Sequence, residues 1–386
     1  MEERFAAAPS SVAVASAAAT SRLLSLDVFR GLTMAGMVIV NNPGDWGTVY
    51  SPLLHAEWNG WTPTDLIFPF FLFIVGVSLT LSRSTMGSWG RIVRRAGLIF
   101  LVGLILAGIP RFPFATWRIP GVLQRIAVCY LAAATIFRIT KRQTGSVPAQ
   151  AAALAGWAAF FMLAYWAVMS LVAPPGGMAG DLSPAGNLGA YVDRTLMGRH
   201  LWQQRPWDPE GLMSTVPAIA TALLGCMAGL TLASNTSAAR KSLILAGAGA
   251  VLVIVGLAWH EVFPINKNLW TSSYVAFSGG AAALLLAGCY WTIDVRGWRA
   301  WTKPFQILGM NAIALFVLSA LLAKLLIYVR LTTEGGRTSL GQYLYVNLYV
   351  PIASPKNASL LFALTHLAVM FLILTVMYRK KIFVKL

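Results

Sequence analysis

The strongest constraint in this sequence is the recurrence of apolar runs, each near the length of about 20 residues that a helix needs to cross the hydrocarbon layer of a bilayer. Ten such runs can be marked, over approximately 25–41, 64–82, 92–109, 120–138, 150–173, 212–233, 242–259, 272–291, 305–328 and 359–378. With 57% hydrophobic and 11% charged residues, the chain carries fewer than half the charges of an ordinary soluble domain. Its apolar surface exceeds what a water-soluble core could hide. The pattern predicts an all-α, polytopic membrane helical bundle of about ten transmembrane helices. Residues 1–21, MEERFAAAPSSVAVASAAATS, have no basic region followed by a continuous apolar core and read as a disordered N-terminal tail without a cleaved signal. Residues 22–386 then form a single transmembrane domain, with no fixed-period repeat and no soluble domain.

An even number of spans puts both termini on one side, and the basic residues say which. Of the 30 lysines and arginines, 19 fall on that side, in clusters such as RIVRR at 91–95 and YRKK near the C-terminus. Loop charges sum to about +15 there and about +1 opposite, the asymmetry expected of a cytoplasmic face. Both termini are therefore predicted to be cytoplasmic, in a multi-pass membrane protein. The formal net charge of +17 is spent on topology, so the expected partner is the lipid bilayer and not nucleic acid. Cys129, Cys226 and Cys289 all lie inside apolar runs, in no metal-ligand spacing, and predict buried thiols and no metal site.

The predicted outer loops are 42–63, 174–211, 260–271 and 329–358. The first is the most informative. Between Val40 and Asp65 the chain reads VNNPGDWGTVYSPLLHAEWNGWTPTD, too dense in Pro, Gly and Asn for an uninterrupted helix yet bulky enough in Trp and Tyr to stay at the membrane boundary. His55 is the side chain in it that exchanges a proton near neutral pH. Asn41, Asn42 and Asn59 supply amides; Asp45, Glu57 and Asp65 supply carboxylates. That set suits acyl transfer.

Other polar residues admit two readings each. Arg125 in IPGVLQR and Lys324 lie within spans, where cations face polar cavities or form structural pairs. Asp208 and Glu210 in DPEG open the sixth span, either complementing its N-terminus or binding acceptor hydroxyls. Asn266 and Lys267 in PINKN belong with them as acceptor-binding candidates. Asp27 and Arg30 are spaced for a local pair, His366 reads as a helix-packing residue, and His260 beside Glu261 is undecided.

Seven motifs in order, RLLSLDVFRGLTMAGMVIVNN, HAEWNGWTPTDLIFPFFLFIVGVSL, RIPGVLQRIAVCYL, DPEGLMSTVPAIATALLG, FPINKNLWTSSYV, GMNAIALFVLS and YRKKIFVKL, resemble the heparan-alpha-glucosaminide N-acetyltransferase family and its shorter bacterial relatives. The resemblance runs from about Arg22 onward. It implies acetyl transfer from cytosolic acetyl-CoA to the amino group of glucosamine across the membrane. It further implies a catalytic role for His55 and an assisting asparagine at Asn41, or at Asn42 if the loop gap is placed differently. The lysosomal members carry an additional luminal region, so a free amino sugar is the expected acceptor here. Asn42, Asn59, Asp65, Asp208, Glu210, Asn266 and Lys267 are expected to line the acceptor site, with orientation of His55 as the second reading of Asp65. Arg125 and Lys324 are expected on the CoA side, with acetyl-CoA as donor substrate and no metal.

The chemistry fits the residue types. An attacking amine must lose a proton as it adds to a thioester, and an imidazole suits that task; alternatively the imidazole attacks first and carries the acetyl group. Asn41 or a loop N–H would stabilise the oxyanion. RIVRR at 91–95 has two readings, CoA phosphate binding or topology alone. Rival functions are O-acetylation of a polysaccharide and amino-sugar transport. Homo-oligomerisation is left open by the sequence.

Overall fold

A computed structural model describes residues 23–82, 88–333 and 336–384; the predicted tail over 1–21 lies outside them. Each of the ten predicted runs contains helix. In chain order these are α1 (Leu24–Asn41), α2 (Ile67–Leu81), α3 (Trp89–Gly108), α4 (Val122–Gln143) and α5 (Val147–Leu171). A short α6 (Leu188–Met197) lies in the long loop, followed by α7 (Leu212–Ala233), α8 (Ala238–His260) and α9 (Ser272–Tyr290). The last are α10 (Thr302–Met310), α11 (Ala312–Tyr328), the five-residue α12 (Leu340–Leu344) and α13 (Pro355–Arg379). Strands β1 (Arg330–Thr333) and β2 (Gly336–Ser339) form an antiparallel hairpin with Arg330 opposite Ser339.

Among the described residues, eight helices are long and apolar enough to cross a membrane, or nine with α10 and α11 counted as one span. The chain is a multi-pass membrane protein. Helix α3 stands outside that count because Arg91, Arg94 and Arg95 occupy its first turns and its apolar stretch begins only at Ala96.

One expectation is corrected. The run at 305–328 is not a straight span, for α10 and α11 meet at 81°. Asn311, at φ −121° and ψ 40°, is the break. Its side-chain nitrogen donates to Ile382 O at 3.0 Å, and its oxygen accepts from Val384 N at 3.0 Å. An asparagine amide competes readily with helix hydrogen bonding, and here it holds the C-terminal segment instead.

Close helix contact organises the centre. Helix α7 is mostly buried, whereas most of α8 and α13 faces outward, as lipid-facing helices should. A Cβ at Gly76 of α2 would stand 1.9 Å from Ala222 O of α7, and one at Gly225 would stand 2.0 Å from Phe73 O. The two helices touch backbone to backbone there, which only glycine permits.

The ends of the bundle are distinct. Arg30 donates to Gly309 O at 3.4 Å, Lys303 to the Tyr378 hydroxyl at 2.6 Å, and Asn311 holds residues 382 and 384. The first described turns of α1 and the last described residues thus meet at one end, beside α10. Loops following α1, α3, α5, α8 and α11 gather at the other. Gly60 N bonds to Ile265 O, Ile119 N to His200 O, and Gly44 N to Ser359 O.

Candidate active site

His55 is placed by a loop with little regular structure of its own. Short 3-10 turns at Trp46–Thr48 and Ser51–Leu53 compact it, and Ser359 of α13 anchors its start by bonding Asp45 N at 3.1 Å and Asp45 O at 3.0 Å. The loop closes on a capping box. Thr62 N and Thr62 Oγ1 both donate to Asp65 Oδ2, at 3.0 and 3.2 Å, and Ala56 N adds a third bond at 3.0 Å. Thr62 Oγ1 also reaches Leu54 O at 2.6 Å. Satisfying these backbone groups at the helix start consumes one carboxylate oxygen of Asp65 and leaves the other free.

That oxygen meets the imidazole. Asp65 Oδ1 lies 2.6 Å from His55 Nδ1, with the carboxylate 1% exposed and the ring 48% exposed. A carboxylate only accepts, so the proton is assigned to Nδ1 and the lone pair to Nε2. Nε2 is therefore left without a carboxylate partner, on a ring that is about half exposed. Tyr274 of α9, fully buried, donates its hydroxyl to Asp65 O at 2.5 Å and secures the dyad from beneath.

A second loop docks on the first. Asn266 Nδ2 donates to Asn59 Oδ1 at 3.1 Å, and Asn266 Oδ1 accepts from Leu269 N at 2.9 Å. This brings Lys267 Nζ to 3.2 Å from His55 Nδ1, 3.3 Å from Nε2 and 3.9 Å from Asp65 Oδ1. Burial lowers the Lys267 pKa below the ordinary lysine value, against the opposing pull of Asp65 and Glu210. The next aromatic, Trp270, is fully buried with φ +52°, a left-handed backbone that a tryptophan rarely adopts. Its indole donates to Thr221 Oγ1 at 3.2 Å and carries the Arg125 guanidinium 4.9 Å above its ring.

Arg125 is buried at the loop-rich end of α4. Its Nε donates to Thr215 Oγ1 at 3.2 Å, and its Nη2 to Gly211 O at 3.2 Å and to Ser214 Oγ. Nη1 has no hydrogen-bond partner among the described residues. Asp208 and Glu210 are held by a residue the sequence reading did not single out. Arg118 reaches Asp208 from Nε at 3.0 Å and from Nη2 at 2.5 Å, and its Nη2 also reaches Glu210 at 2.5 Å. Burial works against the Arg118 charge, yet Glu210 and Asp208 outweigh it and raise its pKa. Asp208 further accepts from Trp202 N at 2.7 Å and Glu210 N at 2.9 Å. It is an organiser of the long loop.

The remaining predicted residues divide. Asn41 ends α1 with its side chain exposed. Asn42 turns inward, donating to Val38 O at 2.7 Å and Ser319 Oγ at 3.4 Å. Lys324 donates to Ile109 O at 2.7 Å and ties α11 to the loop after α3. His366, buried in α13, bonds Ser319 at 3.1 Å. Among the described residues no group of three or more His, Cys, Asp or Glu side chains could hold a metal.

A family profile described as heparan-alpha-glucosaminide N-acetyltransferase, catalytic, matches residues 22–184, the stretch that holds His55, Asp65, Arg118 and Arg125. Human heparan-alpha-glucosaminide N-acetyltransferase is 32% identical over an alignment covering 77% of this chain and 52% of the human protein. Over most of its own length the chain is thus similar to heparan-alpha-glucosaminide N-acetyltransferases. The mouse protein of the same name is 33% identical, covering 77% of this chain and 53% of its own. The chain spans about half the length of these curated relatives. Lys267 and Asn266, which complete the site around His55, lie outside the part matched by the family profile.

Proposed function

We propose that this protein is a membrane N-acetyltransferase that moves acetyl from cytosolic acetyl-CoA to the amino group of glucosamine or a related amino sugar. The observation that carries the proposal is the dyad itself. A buried carboxylate 2.6 Å from Nδ1 orients the imidazole and leaves Nε2 as base, the arrangement that amine acylation requires. The names of the human and mouse relatives support the same acceptor chemistry.

In this reading the acceptor enters from the loop-rich end, among Asn59, Lys267 and Glu210. Asn266 and Asp208 act one step back, through the loops they fasten. His55 Nε2 takes the amine proton as nitrogen adds to the thioester carbonyl, or it first carries the acetyl group itself; both routes use the same atom. The exposed Asn41 amide is the one of the two neighbouring asparagines free to donate to the oxyanion, because Asn42 is occupied inside the bundle. Donor enters from the opposite end, where the basic clusters mark the cytoplasmic face of a bacterial inner membrane. Arg125 lies near the reactive end of such a donor, and its unpartnered Nη1 suits the amide oxygens of the pantetheine arm rather than the nucleotide phosphates. Lys324, already bonded to Ile109 O, is assigned a structural role.

The test is mass spectrometry of products from purified protein given acetyl-CoA and a panel of hexosamines. An amide-linked acetyl-hexosamine is expected with the natural chain and none with His55→Ala. Alkali-labile acetyl on a polysaccharide would replace the reading with O-acetylation. Sugar uptake into vesicles with no acetyl-CoA requirement would replace it with transport.

A further inference from the structure

The site holds an amine of its own. Lys267 Nζ lies 3.3 Å from His55 Nε2, the nitrogen assigned above as base, and its backbone is fixed by the bonds of Asn266 to Asn59 and of Ile265 O to Gly60 N. A nucleophile and the carbon it attacks are in near-attack range at about 3–3.5 Å. A carbon bonded to Nε2 stands one bond length from an atom that Nζ already approaches, as it does Nδ1 at 3.2 Å. An acetyl carbon bonded to Nε2, or delivered beside it, comes within reach of Nζ.

We propose that Lys267 is an acetyl acceptor in its own right: when donor is present and sugar is absent, the acetyl group passes to Nζ. The inference rests on the acetyl-transfer reading above. The Nζ lone pair forms a bond to the thioester carbonyl carbon, the carbon–sulfur bond breaks, and sulfur leaves as thiolate. The proton lost from nitrogen passes through His55 Nε2 to that thiolate, so the products are an acetamide on Lys267 and a free thiol. If the acetyl group is first carried on Nε2, the carbon–Nε2 bond breaks in place of the carbon–sulfur bond.

Two features favour the reaction. A buried lysine loses part of its preference for the charged form, and burial lowers the pKa of Lys267 in spite of Asp65 and Glu210 nearby; more of it is therefore a nucleophilic amine than of a lysine in water. The side chain is also only 17% exposed, so it is held beside the ring rather than sampling solvent. The consequence is a brake. Acetyl-Lys267 has lost its charge and its nucleophile, and it occupies the space beside Nε2 that an incoming sugar amine needs.

The experiment is to incubate the full-length purified protein with isotopically labelled acetyl-CoA, with and without glucosamine. The Lys267 peptide is then mapped by mass spectrometry and the remaining transferase activity measured. One labelled acetyl at Lys267 is expected without sugar, suppressed by sugar, with activity falling in proportion to the modified fraction. No label is expected there in His55→Asn, and preincubation should not inactivate Lys267→Arg relative to its own starting rate. A natural chain that acetylates sugar while Lys267 stays unlabelled overturns the inference and spares the proposed function. Labelling of His55→Asn at the natural rate overturns it too, since the transfer would then be non-enzymatic. If neither sugar nor protein is acetylated, the proposed function fails, and the inference with it.

Discussion

Asn266 Nδ2 donates to Asn59 Oδ1 at 3.1 Å across 207 residues of sequence, and this bond joins the loop that carries His55 to the loop that carries Lys267. Each asparagine lies in a loop, with no helix of its own to support it. The pairing turns two loops into one surface.

Asn266→Ala removes that bond and the partner of the buried Leu269 N–H, and an unsatisfied buried donor costs about 1–3 kcal/mol. With Lys267 and Asn59 no longer held in register, kcat/KM for the sugar should fall about 10-fold or more. Steady-state kinetics on the purified variant checks this, and an unchanged kcat/KM would show that the docking is irrelevant to catalysis.

Asp65→Asn keeps the shape of the dyad but replaces an acceptor-only carboxylate with an amide, so the Nδ1–H tautomer is no longer enforced. Removing a general-base arrangement of this kind costs on the order of 10²- to 10⁴-fold in rate. The acetyl-transfer assay measures it. A variant within a few-fold of the natural rate would mean that the carboxylate merely caps α2.

Arg118→Leu strands Asp208 and Glu210, whose side chains are 0% and 8% exposed. Breaking such a pair from one side costs about 3–5 kcal/mol. Arg118→Lys should recover only part of the loss, because a single ammonium cannot reproduce the contacts that Nε and Nη2 make together. Thermal unfolding in detergent separates the three proteins in the order natural, lysine, leucine.

Asp193 supplies a pH-dependent term. Burial raises its pKa from 3.8 to about 6; the bond from Leu212 N opposes that rise and nearby Asp208 adds to it. A raised folded-state pKa means that the stabilisation is fully present below pH 3.8 and is lost as pH rises through about 6. The loss amounts to about 3 kcal/mol at most. Asp193→Asn retains an acceptor for Leu212 N without the charge, so its melting temperature relative to the natural chain should rise between pH 5 and 7. A constant difference over that range would contradict the assignment.

Much of this architecture is legible in the primary structure. Each predicted run holds helix because hydropathy is a property of neighbouring residues, and the turn-rich stretch around His55 stands out because Pro, Gly and Asn act locally. Thr62 and Asp65 carry the spacing of a capping box, and the place of Asp65 at the start of the second span already marks it as a carboxylate that orients His55 or fixes the acceptor amine. Two features escaped. The apolar run through 305–328 continues past Asn311 without interruption, so the 81° break is invisible until residues 382 and 384 arrive to bond it. Arg118 carries no local mark, since its partners lie 90 and 92 residues away.

Local chemistry was therefore enough to assign a bilayer environment and to single out a candidate imidazole, because each depends on neighbouring residues. Which oxygen of Asp65 faces that imidazole, and that an amine 212 residues distant stands beside it, depended on folding. Contacts near 3 Å arise when helix packing closes separate loops on one another, and no window of sequence contains both sides of such a contact.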